Sequence, residues 1–120
     1  MKKKIIIHYK KRRIKIIAEE CNFLKKFVGL MFSRREKAKI LLFRFGNKRK
    51  IMIHSFCVFY PFVAVWLDEK NRIVDLKIVK PFILCVSHKN KADKLIEIPL
   101  NRKNKKLAKF FFRRGETFKY

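Results

Sequence analysis

The stretch Pro61-Phe62-Val63-Ala64-Val65-Trp66-Leu67-Asp68-Glu69-Lys70-Asn71-Arg72-Ile73-Val74-Asp75-Leu76-Lys77-Ile78-Val79 decides the fold. Its first part, residues 62–67, is wholly apolar, as expected of a central strand covered on both faces. Residues 68–71 are polar and turn-forming, and residues 72–79 alternate imperfectly between apolar and polar side chains. We therefore predict a β-hairpin with a four-residue loop, and a bend at Pro61 before it.

Runs of β-branched and aromatic residues predict further short strands along the chain. They cover Ile5–Tyr9, Ile14–Ala18, Ile40–Phe45, Ile51–Phe59 and Leu95–Ile98. The first two strands form either a hairpin or one broken strand around the basic residues 10–13. The Gly46-Asn47 pair is predicted to end the third strand. The fourth is expected to be a second central strand, because it is almost wholly apolar.

Two helices are predicted. Asn22 can cap the first, and Leu24, Phe27, Val28 and Met31 then recur with the spacing of one helical face. A short C-terminal helix carries Leu107, Phe110 and Phe111 on one side, ends near Gly115, and is followed by a last strand through Phe118.

The resulting fold class is α+β: a small, mostly antiparallel, β-rich single domain over residues 1–120, with a barrel-like sheet, one helix in the N-terminal half and a short C-terminal helix. A chain of 120 residues is expected to hold one domain.

The charge is the most unusual property of the composition. The chain has 33 Lys and Arg against 9 Asp and Glu, which gives a net charge of +24 at pH 7. Hydrophobic residues make up 49% and aromatic residues 14%, which disfavours intrinsic disorder. A folded domain this cationic attracts polyanions, so the expected partner is RNA, DNA or an acidic membrane surface.

The sequence shows no targeting signal. The apolar run of the N-terminus ends after Ile5-Ile6-Ile7, and the longest apolar stretch, Phe56–Leu67, falls short of the ~20 residues that span a bilayer. The three cysteines, Cys21, Cys57 and Cys85, are widely spaced and odd in number, which favours reduced thiols. We therefore expect a cytoplasmic protein with no membrane span and leave its oligomeric state open.

Several short motifs occur in an order that resembles the prokaryotic domain of unknown function 192. They are Gly29-Leu30-Met31-Phe32, the strand Ile40-Leu41-Leu42-Phe43-Arg44-Phe45, His54-Ser55-Phe56, Val58-Phe59-Tyr60-Pro61, Leu67-Asp68, Ile73-Val74-Asp75, Lys80-Pro81, the strand Ala92 to Pro99, and Gly115-Glu116. The resemblance runs from about residue 14 to the C-terminus and is to the short, archaeal-type members. The resemblance implies a β-rich fold. The family has no established activity, so the resemblance implies none for this chain.

Two departures from that family limit what the resemblance implies about activity. Val63 stands where family members usually carry an aspartate, two residues after the bend proline. The polar Lys-Asn-Thr segment of the longer bacterial members is absent as well.

His54, Ser55, Phe56 and Asp68 form the candidate pocket for a small molecule or a reaction. A histidine can act as a general base near neutral pH, although a base usually needs an orienting carboxylate. A hydrogen-bonded structural histidine is the commoner interpretation.

Two cysteines and two histidines, His54, Cys57, Cys85 and His88, have the side-chain chemistry of a zinc site. Residues three apart on a straight strand point to opposite faces, which opposes this hypothesis. Buried thiols are the commoner interpretation, so no metal and no cofactor are expected.

The remaining candidates are basic clusters at predicted turns and chain ends. The residues expected to bind a polyanion are Lys10, Lys11, Arg12, Arg13, Lys48, Arg49, Lys50, Arg102, Lys103, Lys105, Lys106, Arg113 and Arg114. The chain has only three glycines, all isolated, and therefore no glycine-rich phosphate loop.

Three functions follow from these candidates. The first is a non-enzymatic module that binds nucleic acid or another polyanion. The second is a small-molecule or enzymatic site around His54. The third is an adaptor with an acidic protein partner.

Overall fold

The computed structural model describes residues 2–22 and 29–112. In chain order its elements are β1 (Lys2–Tyr9), β2 (Arg12–Glu20), β3 (Leu41–Arg49), β4 (Phe62–Leu67), β5 (Ile73–Val79), β6 (Ala92–Pro99), a 3-10 turn (Arg102–Asn104) and helix α1 (Lys105–Phe111). The predicted β4–β5 hairpin is confirmed, and the first two predicted strands form a hairpin rather than one broken strand.

The six strands form one sheet in the order β1-β2-β3-β6-β4-β5. All neighbours are antiparallel except β2 and β3, which pair in parallel over two residue pairs. The backbone N–H of His8 donates a hydrogen bond of 3.0 Å to the carbonyl oxygen of Asn71, so β1 touches the turn before β5 at the far edge. The sheet therefore curls into a half-barrel, and the prediction of a mostly antiparallel, β-rich fold is confirmed.

The central position of β4 explains its wholly apolar sequence. It pairs with β5 on one side and β6 on the other, and all six of its residues are buried. Val63, Val65 and Leu67 join the core inside the curl, together with apolar residues of β1, β2 and α1. The alternate residues of β4, including Trp66, belong to a second core on the outer face of the sheet.

Residues 51–61 cover this outer face, and the prediction of a strand over Ile51–Phe59 is wrong. The segment pairs only through an isolated bridge between Ile53 and Val86. Its apolar residues serve the second core instead, because Ile51, Val58 and Tyr60 are buried against the sheet. An apolar run of this length has the same composition whether it pairs as a strand or lies across one.

Strand β3 continues past the predicted stop at Gly46-Asn47. Gly46 has a φ of +79°, and the register of β3 against β6 shifts between Arg44 and Arg49. The glycine therefore marks an irregularity inside the strand, a position where a positive φ favours glycine.

The C-terminal helix α1 is confirmed at Lys105–Phe111, with Ala108 and Phe111 buried. Asn101 fixes the turn before it: its Oδ1 accepts from the N–H of Asn104 at 3.1 Å, and its Nδ2 donates to the carbonyl oxygen of Arg35 at 2.8 Å. The predicted N-terminal helix falls mainly on residues 23–28, and the predicted last strand falls beyond residue 112. Both lie outside the described residues and stay predictions.

Within residues 2–22 and 29–112, no helix is long and apolar enough to cross a bilayer.

Candidate functional site

The β1–β2 hairpin turns through Lys10 and Lys11, both in the left-handed backbone region. Their φ values are 49° and 64°, and Tyr9 and Arg12 form the closing pair of the hairpin. A two-residue loop with two positive φ values matches the twist of the flanking strands and normally carries Asn-Gly or a similar pair. Two exposed lysines therefore occupy the tip of this hairpin at positions unfavourable for their backbones.

The hairpin packs on helix α1 through aromatic and cation–π contacts. The guanidinium of Arg12 lies 4.5 Å from the ring centroid of Phe110, and its Nη2 donates to the Phe110 carbonyl oxygen at 2.9 Å. The Tyr9 ring lies 6.4 Å from that of Phe110 and 6.2 Å from that of Phe111. These contacts fix the tip of the hairpin beside the end of the helix.

The hairpin and the helix together carry a surface of one charge sign. Residues 2–18 and 98–112 contain thirteen lysines and arginines, all exposed, and no Asp or Glu. We call these thirteen side chains the basic surface: Lys2, Lys3, Lys4, Lys10, Lys11, Arg12, Arg13, Lys15, Arg102, Lys103, Lys105, Lys106 and Lys109. It includes eight of the cations predicted to bind a polyanion.

Most Asp and Glu side chains among the described residues form ion pairs with cations outside the basic surface. Glu20 pairs with Arg44 at 2.9 Å, Glu69 with Lys48 at 3.1 Å, and Asp93 with Lys94 at 3.1 Å. Two carboxylates border the basic surface: Glu19, which pairs with Lys39 at 3.6 Å, and Glu36, whose Oε1 accepts from the N–H of Arg102 at 3.1 Å. The hairpin and α1 therefore carry many exposed cations with few carboxylates at their border.

A cleft of about 280 Å³ opens at the other end of the hairpin. Lys2 and Lys103 line it from β1 and from the 3-10 turn, together with Glu19 and Lys39. It follows that the basic surface extends from the hairpin tip at Phe110 to this cleft, along the whole length of α1.

The predicted cluster Lys48, Arg49 and Lys50 lies at the end of β3, outside the two segments that form the basic surface. Its charged groups are engaged locally: Lys48 with Glu69, Arg49 with the side-chain oxygen of Asn47 at 2.9 Å and 2.6 Å, and Lys50 with the carbonyl oxygens of His88 and Lys89. The predicted residues Arg113 and Arg114 lie outside the described residues.

Ser55, in the predicted pocket, is fully buried and its polar groups are used by the backbone. Its Oγ donates to the carbonyl oxygen of Lys80 at 2.5 Å and accepts from the N–H of Ile83 at 2.7 Å. Its own N–H donates to the Ile83 carbonyl oxygen at 2.7 Å. The hydroxyl therefore joins residues 80–83 to the segment over the outer face.

The structure does not bring the four predicted pocket residues together. His54 is half-buried and its Nδ1 accepts from the N–H of Phe56 at 3.1 Å, while the Phe56 ring is exposed. Asp68 follows the end of β4 that pairs with Ile73, whereas Ser55 contacts Lys80 beyond the opposite end of the β4–β5 hairpin.

Asp68 organises the tight turn between β4 and β5. Its Oδ1 accepts from the N–H groups of Lys70 and Arg72, both at 2.9 Å, and its Oδ2 accepts from Arg72 Nε at 2.8 Å. Burial alone raises the pKa of the Asp68 carboxyl, but these hydrogen bonds and the Arg72 charge outweigh it and hold the pKa below its usual value. This is the arrangement of a turn-capping carboxylate.

His88, one of the four candidate zinc ligands, is buried and packs on Trp66. Its Nε2 accepts from the N–H of Ile51 at 2.8 Å, and its ring stacks 4.9 Å from the Trp66 ring. Burial lowers the pKa of His88. The Asn90 backbone and the Asp75 charge oppose this, while the charges of Lys50 and Lys77 add to it.

The other candidate ligands differ in exposure. Cys57 is half-buried and Cys85 is exposed, with Cys85 Sγ 3.9 Å from Met52 Sδ. In the described part of the chain, no group of three or more His, Cys, Asp or Glu is arranged to hold a metal ion.

Sequence reasoning missed a buried polar group formed by Ser33, Tyr60 and Glu97. The two hydroxyls share a hydrogen bond, and Ser33 Oγ also donates to the Leu30 carbonyl oxygen at 2.6 Å. Burial raises the pKa of Tyr60, the bond with Ser33 opposes the rise, and the Glu97 charge adds to it. The available signal was Glu97 itself, a carboxylate inside the apolar run of β6.

Comparison with known proteins finds similarity to a protein of uncharacterised function. The chain matches no protein-family model. It is similar to a UPF0127 protein of Pyrococcus horikoshii, with 28% identity over 78 residues, an alignment that covers 65% of this chain and 67% of that protein. At 28% identity this is a weak similarity to an uncharacterised protein.

Two solved structures share the fold. One is a proposed transcription regulator from Sinorhizobium meliloti, with a TM-score of 0.68, 19% identity, and coverage of 86% of this chain and 82% of that chain. The other is a protein of unknown function from Novosphingobium aromaticivorans, with a TM-score of 0.69, 12% identity, and coverage of 90% and 79%. At these identities the likeness establishes the fold alone.

Proposed function

We propose that this protein is a non-enzymatic module that binds the phosphate backbone of nucleic acid through the basic surface. The observation that carries the proposal is the segregation of charge: thirteen exposed cations, without one Asp or Glu, on two segments held together by the Arg12–Phe110 contact. Nucleic acid is a line of phosphates, and cations that replace its counterions supply most of non-specific affinity.

The tip of the hairpin supports a functional role for the charge. Lysine in the left-handed region costs roughly 1–2 kcal/mol relative to an ordinary backbone conformation. Lys10 and Lys11 both take that conformation, where Asn-Gly would be favoured. Retaining lysine at both positions keeps two charges at the most protruding point of the basic surface, at the expense of stability.

The outer face of the β1–β2 hairpin suggests how a duplex would be contacted. Lys4 pairs with Ile17, and Lys15 with Ile6, so cations and exposed apolar side chains alternate across the two strands. Flexible lysines on a twisted ribbon suit phosphates better than base edges. The expected binding is therefore directed to the backbone and weakly dependent on sequence, with dissociation constants of about 1–100 μM at physiological salt.

Fluorescence anisotropy with a labelled RNA duplex and a DNA duplex tests the proposal. The variant Lys11→Gln/Lys15→Gln/Lys106→Gln removes three cations of the basic surface. Its matched control, Lys80→Gln/Lys89→Gln/Lys91→Gln, removes three exposed lysines elsewhere and has the same net charge. The first should lose about tenfold or more in affinity, and the second should change by about threefold or less. Equal losses would mean that net charge alone attracts the duplex.

The alternative functions have less support from the geometry. The Ser55 hydroxyl is used by Lys80 and Ile83, and Asp68 caps a turn away from Ser55. A site around His54 would therefore need groups other than those two. An adaptor role with an acidic protein partner would use the same basic surface, and binding of an acidic protein without duplex affinity would favour it.

Family membership and location remain part of the proposal. The order of motifs supports a short, archaeal-type member of the domain of unknown function 192, and the similarity to a UPF0127 protein agrees with an uncharacterised family. The three cysteines are free, which fits a cytoplasmic location.

A further inference from the structure

A cluster of exposed apolar side chains lies on the loops that cover the outer face of the sheet. Leu84 is 76% exposed, Phe32 70%, Met52 61% and Phe59 61%. We call this cluster, with three further members, the apolar patch: Phe32, Met52, Phe56, Phe59, Phe82, Ile83 and Leu84. Single exposed apolar residues are ordinary, but a cluster of this kind marks an interaction surface.

The chain segments that carry the patch are joined by direct contacts. The Phe59 and Phe82 rings meet edge to face at 5.2 Å. The N–H of Phe32 donates to the carbonyl oxygen of Cys57 at 2.9 Å, and the N–H of Phe82 donates to that of Ser55 at 2.9 Å. Three chain segments, around residues 32, 52–59 and 82–84, therefore form one surface.

The backbone beneath the patch takes an unfavourable conformation at three places. Phe32, Cys57 and Phe82 have φ values of 60°, 59° and 61°, a region that bulky side chains rarely adopt. The buried Ser55 hydroxyl holds the second and third segments together through Lys80 and Ile83. Strain of this kind persists where the surrounding structure imposes it, often at functional surfaces.

The patch is uncharged in a highly charged chain. Residues 51–67 and 81–88 contain no Lys, Arg, Asp or Glu, although charged residues make up 35% of the chain. Exposed cations flank it, with Arg34 two residues after Phe32 and Lys80 two residues before Phe82. An occupant must therefore be apolar at the centre and is favoured if it is anionic around it.

These two requirements distinguish between occupants. A second copy of the chain offers an apolar partner but brings another +24 charge. Nucleic acid offers negative charge without an apolar interior. A bilayer with anionic headgroups offers both, and its binding energy combines buried apolar area with electrostatic attraction. Side chains that are 50–76% exposed, as Phe56 and Leu84 are, protrude into such an interface rather than line a groove for a peptide.

We propose that the apolar patch docks the protein on the surface of an anionic membrane, with Phe59, Phe82 and Leu84 inserted among the headgroups. The inference goes beyond the proposed function, because the patch shares no residue with the basic surface. Nucleic acid binding and membrane docking can therefore fail separately.

Vesicle cosedimentation tests the proposal, using phosphatidylcholine vesicles with and without about one-third phosphatidylglycerol. The decisive condition is about 1 M salt, where the Debye length of ~3 Å suppresses simple charge attraction. The test variant is Phe59→Ser/Leu84→Ser. Its matched control is Ile6→Ser/Ile17→Ser, which removes two exposed apolar side chains from the β1–β2 hairpin. Thermal melts establish that both are folded, and Leu84→Ser alone replaces the double variant if it is not.

The wild type and the control should stay bound to the anionic vesicles at high salt, while Phe59→Ser/Leu84→Ser should partition about tenfold to a hundredfold less. Complete release of the wild type at high salt, or equal binding of both variants, would overturn the proposal. So would a wild-type dimer, seen by sedimentation without vesicles and dissociated by Phe59→Ser/Leu84→Ser, which would assign the patch to a second copy. Binding of an acidic amphipathic peptide without vesicle binding would assign it to a protein partner.

Discussion

Arg12 and Phe110 join the N-terminal hairpin to the C-terminal helix: the guanidinium lies 4.5 Å from the ring centroid, and Nη2 donates to the Phe110 carbonyl oxygen at 2.9 Å. The two residues are 98 positions apart in the chain. Their contact holds two separate basic segments beside each other, so it matters both for the fold and for the proposed binding.

Arg12→Ala should lower the free energy of unfolding by about 1 kcal/mol, since it removes an exposed cation–π contact and a charged hydrogen bond to a carbonyl. Urea unfolding measures the change. The neighbouring Arg13→Ala is the control, because it removes the same charge without the Phe110 contact. Equal effects of the two variants would show that the contact adds nothing to stability.

Lys10→Asn/Lys11→Gly should raise the free energy of unfolding by about 1–2 kcal/mol, because both residues then suit the positive φ values of the turn. Lys10→Gln/Lys11→Gln removes the same two charges and leaves the backbone strained, so its free energy of unfolding should rise by less. Both variants should weaken duplex binding alike. If both variants raised the free energy of unfolding equally, the gain would come from relief of charge repulsion and not from the backbone of the turn.

Asp68→Asn should lower the free energy of unfolding by about 2 kcal/mol at pH 7, since the carboxylate accepts three hydrogen bonds in the β4–β5 turn. The folded-state pKa of Asp68 lies below the unfolded value of about 3.9, so the carboxylate stabilises the fold above pH ~4. That contribution is lost as the pH falls through the folded-state pKa. Urea unfolding of both proteins from pH 7 downward should therefore show the difference narrowing in acid. A difference in free energy of unfolding that does not change with pH would contradict the role of Asp68 as an ionised carboxylate that caps the turn.

His88→Phe should destabilise the fold at pH 8 by about 1–2 kcal/mol, because the N–H of Ile51 loses its acceptor. The folded state holds the pKa of His88 below the usual value of about 6.5, so the wild type loses stability as the pH falls from ~6.5 toward the lower folded-state pKa. The difference in free energy of unfolding between wild type and His88→Phe should shrink over that pH range. His88→Gln, which retains an acceptor, should be milder at pH 8. A difference that grows as the pH falls would mean that the folded state raises the pKa of His88 instead of lowering it.

The fold could be predicted from sequence wherever the local pattern decided the structure. The apolar run of β4, the polar loop after it and the β-branched runs of β1 and β2 each have the signature of their element. Ile51–Phe59 misled the prediction because a segment that lies across a sheet buries as many apolar residues as a strand within one. The distinction depends on the partners, Trp66 and His88 among them, and these are distant in the chain.

The candidate site was predictable in composition but not in arrangement. The clusters Lys10–Arg13 and Arg102–Lys106 were visible as charge runs, yet only tertiary contacts such as that of Arg12 with Phe110 show that their two segments lie side by side. Lys48–Lys50 has the same appearance in the sequence and is engaged by Glu69, Asn47 and backbone carbonyls. Three members of the apolar patch, Met52, Phe56 and Phe59, were predicted to lie in the strand Ile51–Phe59, because their exposure depends on the tertiary structure.

The salt dependence of duplex binding tests the central claim most directly. If the basic surface neutralises about five phosphates of a duplex, the binding constant should fall several hundredfold between about 50 and 200 mM salt, a log–log slope of about −4.5. Lys11→Gln/Lys15→Gln/Lys106→Gln should make that slope shallower by about 0.9 for each phosphate that is no longer neutralised, and Lys80→Gln/Lys89→Gln/Lys91→Gln should leave it unchanged. Undetectable binding at low salt, affinity indifferent to salt, or a slope that the basic-surface variant does not change would contradict the proposed function.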